Sequence, residues 1–130
     1  MAEMKFIQIG DRQVLLMDFS RLRDAAVLTE ATDDAIATVR SAEGPHSVLA
    51  LLDLTGTPVN RALLRSLRKL SENNGPFIRA MAFVGLGMIP RSLLKALLRA
   101  SKRTNHQVFR TRSEALNWLT GQPMKAAQPT

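Results

Sequence analysis

The spacing of apolar and polar positions changes period several times along this chain, and each change marks an element. Lys5 to Ile9 and Gln13 to Phe19 are two short strand-like runs. Gly10-Asp11 between them is a turn signal, so the pair predicts a hairpin. From Leu22 to Ala42 the apolar positions Leu28, Ala31, Ala35, Ile36 and Val39 recur at steps of three and four, which predicts a helix. Asp24 or Ser20 is placed to cap its start, and Gly44-Pro45 ends it. Ser47 to Leu54 carries the run Val-Leu-Ala-Leu-Leu, apolar at nearly every position. That pattern suits a central strand covered on both faces.

The second half repeats the alternation. Val59 to Asn73 is amphipathic: Leu63, Leu67 and Leu70 step along one face, with Arg61, Arg65, Arg68 and Lys69 mostly on the other. Asn73-Asn74-Gly75-Pro76 stops that helix. Phe77 to Val84 is the next strand, followed by the turn Gly85-Leu86-Gly87. Pro90 suits the first turn of another helix, running to about Arg103 with a stripe of Leu93, Leu94, Leu97 and Leu98. Gln107 to Arg110 reads as a brief edge strand, and Ser113 to Leu119 as a last helix with Thr111 or Ser113 at its cap.

The predicted order is β-β-α-β-α-β-α-β-α. Strands alternating with helices imply right-handed crossovers, so the expectation is a single α/β domain over residues 1–120. Its sheet is mixed but largely parallel, opened by the hairpin and flanked by helices. Residues 121–130, with two prolines and no sustained apolar pattern, read as a flexible, polar tail.

Composition narrows the class. At 130 residues with 45% apolar and 22% charged positions, the chain has the make-up of an ordinary globular domain. It has no cysteine, which removes disulfides, thiolate metal sites and thiol nucleophiles. Glu3 and Lys5 near the start do not read as a signal peptide, and no apolar run approaches the roughly 20 residues of a spanning helix. A cytoplasmic protein without a transmembrane segment is expected. The net charge of +7 is polarised: residues 1–60 carry nine acids and five bases (−4), and residues 61–130 carry two acids and thirteen bases (+11). The positive half is either a solvated face or a surface that draws anions.

Candidate chemistry gathers at two strand-to-helix junctions, where open α/β sheets bind ligands. At the first, Asp53-Leu54-Thr55-Gly56-Thr57-Pro58, a buried strand delivers an acid, a hydroxyl and a glycine to the start of a basic helix that includes Arg61. A phosphate on Thr55 would be electrostatically welcome at that helix start and would repel an acidic partner. The competing reading is that the acid and threonine simply cap the helix. At the second, Gly85 and Gly87 could cradle an anion. The third glycine of a dinucleotide fingerprint and the lysine of a P-loop are both missing there. His46 and His106 lie far apart with nothing nearby to complete a metal set. No nucleophile, base, metal or cofactor constellation can be assembled, so the chain reads as non-enzymatic and without a cofactor.

In their order and spacing, several short pieces resemble the SpoIIAA-like (STAS/SEC14-like) group of small bacterial proteins. The pieces are Leu15-Leu16-Met17-Asp18-Phe19, then Val48 through Gly56, Pro76-Phe77-Ile78-Arg79-Ala80 with Val84-Gly85, and Phe109 with Glu114 through Leu119. They cover roughly residues 5–120. The resemblance implies a domain like the anti-sigma-factor antagonists, which carry Asp-Ser-Ser-Gly at a strand-to-helix junction. A partner kinase phosphorylates the second serine of that motif to switch binding. Here Asp53-Leu54-Thr55-Gly56 stands in that place, with Thr55 at the phosphorylated position. Leu54 and the following Thr57-Pro58-Val59 depart from the family's pattern.

The leading expectation is therefore a regulatory or protein-interaction domain. Its partner, a kinase or an anti-sigma-like protein, would meet the surface around Asp53, Thr55, Gly56 and the helix Val59 to Asn73, which carries Arg61. A second expectation, also implied by the SEC14-like relation, is a carrier for a lipid or other apolar anion beside the helix Pro90 to Arg103, with Arg91 or Lys95 at the headgroup. Nucleic-acid binding through the basic half is a third, weakened by the scarcity of aromatics: six in all, with Phe77, Phe83, Phe109 and Trp118 reading as core. Self-association into a homodimer stays open.

Overall fold

The structure, a computed structural model, describes residues 3–41, 47–85 and 105–122. Strands β1 (Glu3–Ile9) and β2 (Arg12–Asp18) form the expected antiparallel hairpin around Gly10, whose φ of 63° gives the tight turn that a side chain would resist. Helix α1 (Ala25–Arg40) follows, then β3 (Val48–Asp53), α2 (Arg61–Asn74), a 3₁₀ turn (Gly75–Phe77), β4 (Ile78–Val84), β5 (Asn105–Phe109) and α3 (Arg112–Thr120). The sheet order is β1-β2-β3-β4-β5, and every pairing after the hairpin is parallel. The mixed, largely parallel α/β sheet is as the alternating pattern predicts.

Local chemistry sets the helix bounds. The predicted start of α1 at Leu22 moves to Ala25 because Asp24 is the cap, its carboxylate accepting from the Ala26 amide at 2.8 Å. The predicted start of α2 at Val59 moves to Arg61 because Asn60 caps it, accepting from the Leu63 amide at 3.0 Å. Thr111 caps α3 through the Glu114 amide at 3.2 Å. Two predicted features, the helix Pro90 to Arg103 and most of the tail, lie outside the described residues.

The two faces of the sheet bury separate layers. On one, Leu15, Met17, Ala50, Leu52, Met81 and Phe83 meet Leu28, Ala31, Ala35 and Val39 of α1 and Leu63, Leu67 and Leu70 of α2. On the other, Val14, Leu16, Leu49, Leu51, Ala80 and Ala82 meet Ala115 and Leu119 of α3, with Phe109 and Trp118 packed beside them. All six residues of β3 are buried, as its uninterrupted apolar run requires of a strand covered on both faces. Asp33 of α1 and Lys69 of α2 pair at 2.8 Å, and Arg40 donates to Asn73 at 2.9 Å, fastening the two helices side by side. No described helix is long and apolar enough to cross a membrane.

Candidate functional site

Strands β2, β3 and β4 run parallel and end level with one another, with Asp18 opposite Asp53 and Asp53 opposite Val84. Beyond the strand ends the chain does not diverge at once. Phe19 donates its amide to the Asp53 carbonyl at 2.9 Å, Arg21 to the Thr55 carbonyl at 2.8 Å, and Leu54 to the Val84 carbonyl at 2.8 Å. The parallel ladder thus runs on into the loops and holds them against each other.

Two of these loops have the same construction. Asp18-Phe19-Ser20-Arg21 and Asp53-Leu54-Thr55-Gly56 each run acid, buried apolar residue, hydroxyl, then a residue in the left-handed region. Asp18 Oδ1 accepts from the Ser20 amide at 3.1 Å and the Ser20 hydroxyl at 2.5 Å. Asp53 Oδ1 accepts from the Thr55 amide at 2.9 Å and the Thr55 hydroxyl at 2.6 Å. These are Asx-type turns in which a side chain replaces the next ladder bond. Gly56 takes the left-handed position at φ 74° without a Cβ penalty; Arg21 takes the equivalent one at φ 57°, held by the hydrogen bond its amide donates to the Thr55 carbonyl.

The second oxygens of both aspartates face one arginine. Arg112 Nε lies 2.6 Å from Asp53 Oδ2, and its Nη2 lies 3.4 Å from Asp18 Oδ2. Arg112 is the first residue of α3, where a cation opposes the positive end of the helix dipole. The two carboxylates offset that conflict and explain the residue's place. Burial alone pushes the Asp53 carboxyl up. The Thr55 hydroxyl and amide and the Arg112 guanidinium outweigh it and hold Asp53 below the ordinary carboxylate range. Burial likewise raises Asp18, while Ser20 and Arg112 bring it below that range, against the nearby charge of Asp53. The Asp53 hydrogen bond raises Arg112 above its ordinary value in spite of burial.

Thr57 completes the corner from beneath. It is buried, its hydroxyl accepts from the Leu22 amide at 3.0 Å, and it donates to the Phe19 carbonyl. It thereby bolts the first loop to the second.

The residues singled out from sequence divide three ways. Asp53, Thr55, Gly56 and Gly85 come together in this corner. Thr55 is exposed, Asp53 is 5% exposed, and the Gly85 backbone presses against that of Thr55. Arg61 opens α2, exposed and in no ion pair with a described residue. Gly87, Arg91 and Lys95 lie outside the described residues, as does the segment on which the carrier reading rests. The capping alternative for Asp53 and Thr55 fails, because α2 begins six residues beyond Thr55 and Asn60 caps it. Asp18, Ser20 and Arg112 were not among the site residues expected from sequence; Ser20, expected as a candidate cap of α1, instead bonds Asp18 while Asp24 caps the helix. A signal for Asp18 and Ser20 was present in the repeated acid-apolar-hydroxyl spacing at 18–20 and 53–55.

No family model matches the chain, and no curated protein matches it. Among solved structures it is similar to an uncharacterised protein of the DUF3478 family with a SpoIIAA-like fold, from Shewanella loihica PV-4. The TM-score is 0.63 at 19% sequence identity, over 91% of this chain and 93% of that one. The fold is therefore SpoIIAA-like.

Proposed function

We propose that this domain is a non-enzymatic regulatory module that binds a protein partner through the corner around Thr55 and the outer face of α2, and that phosphorylation of Thr55 by a partner kinase switches that binding. The observation that carries the reading is Thr55 itself. It is exposed, at a strand-to-helix junction of a SpoIIAA-like fold, with its hydroxyl aimed at the Asp53 carboxylate at 2.6 Å. A phosphoryl group there removes the donated proton and sets a dianion beside a carboxylate, so the modified and unmodified corners differ sharply in charge and hydrogen bonding.

The neighbouring surface suits a partner with acidic groups. Arg61, Arg65 and Arg68 follow one another at helical spacing on the exposed side of α2, none of them in an ion pair with a described residue. Val59, 40% exposed, offers an apolar contact at the head of that row. Like charges three and four residues apart weaken a helix slightly, so an acidic partner would relieve a standing repulsion.

Affinity capture from the native organism tests the reading with three baits: wild type, Thr55→Asp and Arg65→Glu. A protein retained by wild type and lost by both variants is expected. Capture of the same proteins by all three baits removes the proposal.

A further inference from the structure

We propose that Arg112 is the phosphoryl-binding group of this corner: when Thr55 carries a phosphoryl group, the guanidinium leaves the Asp18–Asp53 pair and binds the phosphate. The biological use of this site rests on the proposed modification of Thr55; its geometry does not. One carboxylate, that of Asp53, holds Thr55 by Oδ1 and Arg112 by Oδ2. The threonine oxygen and the guanidinium therefore sit on opposite sides of a single small group. Transfer of a phosphoryl group from a nucleoside triphosphate forms the O–P bond on Thr55 Oγ1 and breaks the bond to the departing diphosphate. The hydroxyl proton leaves towards Asp53 Oδ1, which already accepts its hydrogen bond.

The product cannot keep the old arrangement. Oγ1 no longer donates, and a dianion now stands beside the Asp53 carboxylate. Among the described residues, the charged side chains around it are Asp53 from β3, Asp18 from β2 and Arg112 from α3, with the exposed Arg21 from the loop after β2. The Arg21 Cγ lies 3.0 Å from where a Cβ on Gly56 would stand. Arg112 already bridges both acids, and its planar fork matches a phosphate in two-pronged fashion. Its hold on Asp18 is the looser one, at 3.4 Å, against 2.6 Å to Asp53. Because Arg112 is the first residue of α3, its move passes the state of Thr55 from the loop after β3 to the helix on the opposite face of the sheet.

The test uses the full chain with phosphothreonine installed at position 55 by genetic encoding, and follows its phosphorus resonance against pH. An unperturbed phosphomonoester loses its second proton near a pKa of about 6. With Arg112 bound to the phosphate, that titration lies at lower pH in the wild-type background than in Arg112→Gln, where the two aspartates and the exposed Arg21 remain nearby. A difference of about half a pH unit or more is the expected result, since one unit corresponds to a tenfold change in proton affinity. Arg112→Lys, which keeps a charge but not the fork, should fall between them and serves in place of the glutamine variant if that chain does not fold. Coincident titrations in wild type and variant overturn the proposal. A clear separation upholds it even where the cell never phosphorylates Thr55, so its failure and that of the proposed function are distinguishable.

Discussion

A Cβ placed on Gly85 would stand 2.5 Å from the backbone nitrogen of Thr55 and 2.7 Å from its Cα. The end of β4 is thus the floor on which the Thr55 loop rests, and nothing larger than hydrogen fits between them. Gly85 also has φ of 88°, which a side chain resists independently. Gly85→Ala should cost about 2–4 kcal/mol, from backbone strain together with a displaced loop. Urea denaturation measures it directly. A variant as stable as wild type would show that the loop is free to lift.

The low carboxyl pKa values of Asp18 and Asp53 give the corner a pH signature. In the unfolded chain these groups take up protons around the ordinary value of 3.8; in the folded chain they do so at lower pH. Their contribution is therefore fully present above the unfolded value and is lost as pH falls below it through the folded values. Unfolding midpoints should be level near neutrality and decline through about pH 4 and below. Asp53→Asn should start roughly 2 kcal/mol less stable at neutral pH, having lost a charged hydrogen bond to Arg112, and should decline less steeply in acid. Parallel curves for the two proteins would exclude Asp53 as a source of the acid sensitivity.

Thr57 makes a third prediction. Thr57→Val keeps the shape but leaves the Leu22 amide and the Phe19 carbonyl without their partner. A loss of about 1–3 kcal/mol follows, the usual cost of stranding buried polar groups. Thr57→Ser should restore most of it. Thermal melts of the three proteins decide the point, and equal melting temperatures would contradict it.

Asn74 points the other way. Its side chain is buried at the end of α2, and neither its amide nitrogen nor its oxygen finds a hydrogen-bond partner among the described residues. Asn74→Leu, close in volume and apolar, should raise stability by roughly 1 kcal/mol. Destabilisation measured by urea titration would show that the amide has a role in the folded protein.

The sheet was legible because burial writes itself into spacing. The unbroken apolar run of β3, the leucine steps of α2 and the glycine turn after β1 each have one simple reading. Bounds shifted by two or three residues where a capping side chain outranked the apolar period, as Asp24 and Asn60 do. The Thr55 corner was half legible. Asp53, Thr55 and Gly56 are contiguous, so a single junction displays them. Asp18 and Arg112 stand 35 and 59 residues from Asp53 in sequence, and only the parallel register of β2 on β3 and the placement of α3 unite them. Arg112 was the harder to foresee, because a cation at a helix start runs against the dipole rule unless its acidic partners are known.

On the proposed function, Thr55 is the place where this molecule is switched. Site-resolved mass spectrometry of the intact, natively expressed protein, sampled across growth phases, addresses that most directly. A single phosphoryl group mapped to Thr55, in a fraction that varies with growth phase, is the predicted result. Protein unmodified at Thr55 in every phase, with Thr55→Asp still capturing the wild-type partner in full, would contradict the account.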